Sequence, residues 1–212
     1  MSKQLVKVVM LSSLIFSSAV AVAAPPIAEL KVAGKLSVPT CVVNSPDGGI
    51  YDLGKISSTK ISSTNIGSLD TMTKTWAITC DATTYLTFKT IDNRTASAFP
   101  PSTSTYGLGM VNGTGKIGSF FVNMQNAKVD GVPVKVFNTK ASTFTVANDS
   151  QVFNDDSVHG WASANNVQTA GKIFTTDMAV GTYLSTVSGM NGPITQNTEI
   201  DGSMTINFAY GI

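Results

Sequence analysis

The chain has 212 residues, a formal net charge of +1, 13% charged residues and 42% hydrophobic ones. Such a nearly neutral chain carries no electrostatic footprint for nucleic acid or for an anionic membrane. Glu-Lys-Leu patterning is scarce while Ser, Thr, Asn and Gly abound. This excludes a helical protein and points to strands and turns, because β-branched side chains suit a pleated surface and Gly and Asn suit tight turns.

Residues 1–23 read as a secretory signal. Lys3 and Lys7 precede an apolar run, Val8–Phe16, interrupted only by Ser12 and Ser13, and Ala21-Val22-Ala23 supplies a small-x-small cleavage site. The run falls short of the roughly 20 residues a membrane span needs, so cleavage after Ala23 is expected rather than retention as an anchor. Removal of the signal leaves one domain, 24–212, of 189 residues, and takes two lysines, which brings the net charge to about −1. With no second long apolar segment, no membrane span is expected after cleavage, and a soluble or assembled exported protein is implied. Two cysteines in an exported chain read as one disulfide, Cys41–Cys80. A metal site or a catalytic thiol is disfavoured, since the chain has one histidine and neither cysteine has a neighbour that lowers its pKa. No cofactor is expected.

In chain order, the first strand is placed at Leu30–Cys41. Leu30, Val32, Leu36 and Val38 alternate with Lys31, Lys35 and Ser37 at the period of a half-buried strand, and Pro39 ends it or sets it at an edge. After a turn at Ser45–Gly49, Ile50–Gly54 reads as a short strand, and Ser57–Asp70 as a surface connection of weak strand character. Lys74–Cys80 and Tyr85–Ile91 read as strands on either side of an Asp81-Ala82 turn, and Asp92 opens a polar loop that runs to Thr105. Tyr106–Gly118 is glycine-rich and Ser119–Met124 returns to strand. Lys128–Phe137 reads as a hairpin with Asp130-Gly131 at its tip. Phe144–Val146 and Gln151–Phe153 are shorter candidates. Ala162–Gly171 reads as a loop with room for one helical turn, followed by strands at Ile173–Met178 and Thr182–Val187. In the last run, Met204, Ile206, Phe208 and Tyr210 occupy alternate positions. Many short strands between turns argue for a β-sandwich, with no internal repeat.

These residues resemble the chaperone–usher pilins. Leu30, Val32, Gly34 and Leu36 followed by Cys41 are similar to the first pilin strand, Trp76-Ala-Ile-Thr-Cys80 to the strand bearing the second cysteine, and the alternating final strand with Tyr210 to the pilin C-terminus. More narrowly, Thr79-Cys-Asp-Ala82, Ile91-Asp-Asn-Arg94, Tyr106-Gly-Leu-Gly109, Lys116-Ile-Gly118 and Ile200-Asp-Gly202 resemble the GltF-type group of exported fimbrial-like bacterial proteins of unassigned function. The resemblance implies an all-β, immunoglobulin-like (pilin-like) sandwich that lacks its last strand and takes one from a periplasmic pilus chaperone or another fimbrial subunit, with an usher as a further partner. On that reading Met204, Ile206, Phe208 and Tyr210 face the complementing strand or the chaperone. Only Ala24–Glu29 precede Leu30, too short and proline-rich to fill a groove, so the chain is expected to accept a strand but not to donate one. The function expected is a non-catalytic, fimbria-associated structural or adhesive subunit. The alternative is a soluble periplasmic pilin-like protein that binds a small ligand or a protein.

Candidate chemistry is sparse. Gly113-Thr-Gly-Lys-Ile-Gly118 has dinucleotide-type glycine spacing, but a strand follows where a helix is required and no acid sits about 20 residues on. His159 lies between Asp155-Asp156 and Trp161 with no nucleophile elbow in the chain, and reads as a polar-loop histidine. Adjacent acids such as Asp155 and Asp156 seldom face one another across a sugar. Asp92, Asn93 and Arg94 read first as a capped turn and, with Trp161 in a loop, as a possible ligand loop in which an exposed aromatic stacks on a sugar or a partner.

Overall fold

A computed structural model describes residues 26–147 and 150–211; the signal segment 1–23 lies outside the described residues. The chain divides into two units at Ser37/Val38. In the second unit the strands are β1 (Cys41–Asn44), β2 (Gly67–Ser68), β3 (Met72–Asp92), β4 (Tyr106–Gly107), β5 (Met110–Val111), β6 (Gly115–Lys116), β7 (Gly118–Val129), β8 (Val132–Pro133), β9 (Lys135–Thr139), β10 (Val146–Ala147), β11 (Ser150–Val152), β12 (Val158–Ala164), β13 (Val167–Gln168), β14 (Gly171–Leu184) and β15 (Met204–Gly211). All but β5 and β6 join one curled antiparallel sheet. The fold is all-β: among the described residues the other elements are short 3-10 turns, and no helix is long and apolar enough to cross a membrane.

β3 is the spine. Its first half is flanked by β1 and β14, and its second half by β12 and β15. Beyond β14 lie β7 and β11; beyond β12 lie β9 and β10. The two expected strands Lys74–Cys80 and Tyr85–Ile91 are therefore one, and Asp81-Ala82 is not a turn. The reason is parity. Ile78, Cys80, Thr84, Leu86, Phe88, Thr90 and Asp92 are all buried at even positions, so one pleat serves both runs. Ile173–Met178 and Thr182–Val187 fuse in the same way, because Phe174, Thr176, Met178, Val180, Thr182 and Leu184 are buried in phase along β14. The curl brings Ile78, Val122 and Met178 of one half against Leu86, Phe88 and Trp161 of the other in one core. A smaller cluster of Leu108, Ile117, Leu184 and Met190 lies beside it.

Cys41 stands opposite Cys80 in the β1–β3 register, and the two are joined as a disulfide. Asp81 closes that end of the ladder: its carboxylate accepts the Thr40 N–H at 2.9 Å, and its own N–H donates to the Thr40 carbonyl at 3.0 Å. The Asp130-Gly131 tip is as expected, with both residues at positive φ (51° and 81°) between the paired Val129 and Val132. The 162–171 stretch is not a helical loop; β12 runs on to Ala164, turns at Asn165-Asn166 and returns as β13.

The first-strand reading of Leu30–Cys41 is overturned. Only Cys41–Asn44 enters a ladder. Residues 26–40 have no regular structure, and Leu30, Val32, Leu36 and Val38 are 87, 91, 103 and 74% exposed, with nothing within 4 Å of the Cβ position of Gly34. Alternation prescribes the faces a strand would present, but a ladder also needs an edge. Continued from Cys41↔Cys80, residues 30–36 would fall opposite Tyr85–Ile91, where β12 and β15 hold both edges of β3. Ile50–Gly54 likewise joins no ladder, although Tyr51 and Leu53 turn inward while Ile50 and Asp52 face water.

Candidate functional site

β15 carries the alternation expected of it. Met204, Ile206 and Phe208 turn inward onto the core, and Thr205, Asn207 and Ala209 outward. The inward three are only half-buried, and Tyr210 is 38% exposed. Among the described residues β15 pairs with β3 alone, so its second edge presents N–H and C=O groups without ladder partners.

Beside that edge runs a groove of about 1490 Å³. Its floor is the inner face of β7 and β14, including Phe120, Val122, Met178 and Val180. One wall is β15 with residues 194–202 before it; the other is the irregular stretch 49–58. The half-buried state of Met204, Ile206 and Phe208 reports a sheet face of large apolar side chains that no strand among the described residues covers.

Both walls are pinned by polar contacts. The Tyr51 hydroxyl donates to the Met178 carbonyl at 2.9 Å and accepts from Trp76 Nε1–H at 3.1 Å. Burial raises the Tyr51 pKa, which keeps that hydroxyl a donor. Lys74 Nζ sits 5.2 Å from the Tyr51 ring centroid, bonds the Ile50 carbonyl, and pairs with Asp47 at 2.5 Å. On the other side, Asp201 N–H donates to the Leu108 carbonyl at 3.0 Å, and Arg94 Nε and Nη2 donate to Asp201 Oδ2 at 2.8 and 2.6 Å.

These contacts revise the ligand-loop reading. The buried Asp92 spends its carboxylate on the Arg94 N–H (2.7 Å) and the Gly107 N–H (3.0 Å). Asn93 Nδ2 donates to Ser203 Oγ and Thr205 Oγ1 at 2.9 and 3.0 Å. The Asp92-Asn93-Arg94 turn thus fastens the entry of β15 to the end of β3. Trp161 is not in a loop: it lies on β12, 0% exposed, edge-on to Phe88 and Phe174, and its Nε1–H donates to the Thr175 carbonyl at 3.3 Å. His159, also expected in a loop, is buried on β12, and Tyr106 is buried on β4. Burial, outweighing the Thr90 hydrogen bond, pushes the Tyr106 pKa up to about 12. Asp156 pairs with Lys140, which lowers its pKa, while Asp155 is raised by burial and by Asp156. The Gly113–Gly118 run ends the β5–β6 turn, supplies β6 and opens β7, and a Cβ on Gly115 would lie 2.1 Å from the Met190 carbonyl oxygen, so close backbone approach accounts for that glycine.

Sequence reasoning found one wall of the groove, β15, and missed Tyr51, Trp76 and the β7–β14 floor. The inward turn of Tyr51 and Leu53 was the available signal. A family model described as "Protein of unknown function (DUF1120)" matches residues 30–102. No curated protein matches the chain. The matched stretch takes in the exposed segment from Leu30, the disulfide, the 49–58 wall and β3, and stops before β7 and β15.

Proposed function

We propose that this is an exported, non-catalytic, fimbria-associated structural or adhesive subunit: an immunoglobulin-like, GltF-type pilin sandwich short of one strand, whose groove accepts a strand from a periplasmic chaperone or another subunit. The observation that carries the reading is the conjunction of a β15 edge unpaired among the described residues with a groove of apolar floor along it. An extended segment lying there would pair with β15 through its backbone and set every second side chain on the Met178–Val180 floor, which is β-strand addition. The expectation that the chain donates no strand takes Leu30, preceded only by the short, proline-rich Ala24–Glu29, as the start of the first paired strand; the first ladder begins at Cys41 instead, so the proposal concerns acceptance alone.

The second reading, a soluble periplasmic binding protein of the same fold, is favoured by the polar run Thr195–Glu199 along one groove wall, which would orient a small ligand over the apolar floor. Expression of the mature chain with and without a co-expressed periplasmic pilus chaperone, followed by size-exclusion chromatography, separates the two. Recovery only as a chaperone complex supports the strand-accepting subunit; a stable chaperone-free monomer that ignores the chaperone supports the binding protein.

A further inference from the structure

The row of side chains that begins at Phe208 continues away from the groove into the core. Phe208 on β15 pairs with Phe88 on β3, Phe88 with His159 on β12, and His159 with Asn138 on β9. The His159 ring is fully buried, stacked on Phe88 at 5.1 Å with 15° between planes, and 5.1 Å from Phe153. Its Nε2 accepts the Asn154 N–H at 3.0 Å, so the neutral ring carries its proton on Nδ1, which has no hydrogen-bond partner among the described residues. A further proton has only Nε2 to go to. There it meets the Asn154 N–H donor to donor and places a charge between two phenyl rings. The charged group that bears on the ring is Asp156, in the β11–β12 turn and already engaged by Lys140. The row partners from β3, β9 and β15 are Phe88, Asn138 and Phe208, none of them charged.

We propose that His159 is an acid-operated release for the groove: once protonated, the imidazole leaves its seat between Phe88 and Phe153, Phe88 loses the surface it stacks on, and β15 with Phe208 loosens from the sheet, so that a strand held at neutral pH is let go in acid. Burial sets the operating range, holding the imidazole pKa down to about 4 against the Phe88 carbonyl, Asp156 and the Val152 carbonyl. What is released follows from the strand-accepting reading of the groove; the loosening of β15 does not depend on it.

The test is hydrogen exchange on the mature protein, corrected for intrinsic rates, as pH is lowered from about 7 toward 4, with the imidazole followed by NMR; its signal is unambiguous because the chain has one histidine. Amides of β15 should lose protection in step with the imidazole titration, by up to about tenfold per pH unit, the limit for one proton, while β14 keeps its protection. His159→Gln, or His159→Phe should the first variant fold poorly, should flatten the β15 response. Flat β15 protection through the imidazole titration, simultaneous loss from β14, or an unchanged response in a folded variant would each overturn the proposal. A chain that binds no chaperone yet shows the β15 response would remove the strand-accepting reading and leave the switch standing.

Discussion

Phe208 stands directly opposite Phe88 with ring centroids 5.6 Å apart, yet Phe88 is 1% exposed and Phe208 is only partly covered. The two rings share a face and a ladder, and differ in what lies beyond them. Phe88 has β12 on its far side; among the described residues Phe208 has no strand on its own. The groove is this asymmetry extended along β15.

Phe208→Ala should therefore destabilise the protein by about 2–3 kcal/mol, below the 3–5 typical of a fully buried phenylalanine. Asn207→Ala, one residue away on the water face, should stay within about 0.5 kcal/mol. Urea unfolding monitored by fluorescence measures both. Equal effects would contradict the inward-outward alternation of β15.

The disulfide predicts that denatured, unreduced mature protein titrates with essentially no free thiol. Replacing both Cys41 and Cys80 by Ala should lower stability by about 4 kcal/mol, the chain-entropy value for a loop closed across 39 positions of sequence. Two reactive thiols in the untreated protein would rule the bond out.

His159 also makes a global statement about acid. Its folded pKa, about 4, lies below the ordinary value of 6.5, so the unfolded chain binds the proton more tightly. The stabilisation is complete above about pH 6.5 and is lost as pH falls toward 4, amounting to roughly 3 kcal/mol in all. Chemical denaturation at stepped pH should show the loss in the wild type and a shallower slope in His159→Phe. A wild-type stability that rises on acidification over this range would reverse the sign and refute the assignment.

Asp92 and Asp201 both touch the turn that ends β3, with different consequences. Asp92→Ala strands the buried Gly107 N–H and should cost about 1–3 kcal/mol. Asp201→Ala breaks a solvent-exposed pair with Arg94 and should cost at most about 1 kcal/mol. Thermal unfolding of the two single variants decides it, and a larger loss at Asp201 would mean the turn is held from outside rather than from within.

Some of this was legible in the residues. β15 was, because four large side chains at period two have one arrangement on a pleated sheet. The Asp130-Gly131 turn was, because two successive positive-φ positions suit that pair. β3 and β14 were each read as two strands because polar residues look like turns, while the deciding feature is whether the buried positions stay in phase across the gap. Trp161 and His159 look like loop residues because their sequence neighbours are polar, and sequence neighbours say little about cross-strand neighbours such as Phe88. The Leu30–Val38 alternation has the period of a strand but joins no ladder, since the occupancy of an edge of β3 is set by β12 and β15, far away in sequence. The groove was out of reach for the same reason: its walls come from residues 49–58 and 194–208 and its floor from β7 and β14, which only the fold brings together.

The register of β3 also decides how this body would carry a load. The chain enters its ladders at Cys41, opposite Cys80, and the last described ladder residue, Gly211, lies opposite Tyr85. Tension applied between these two points crosses only the short piece of β3 from Cys80 to Tyr85, and bypasses β7, β9, β12 and β14. One attachment is a covalent sulfur–sulfur bond; the other is the hydrogen-bonded end of β15. Under pull, β15 would peel from its Gly211 end while the disulfide held, and the groove would lose the strand that forms one of its walls.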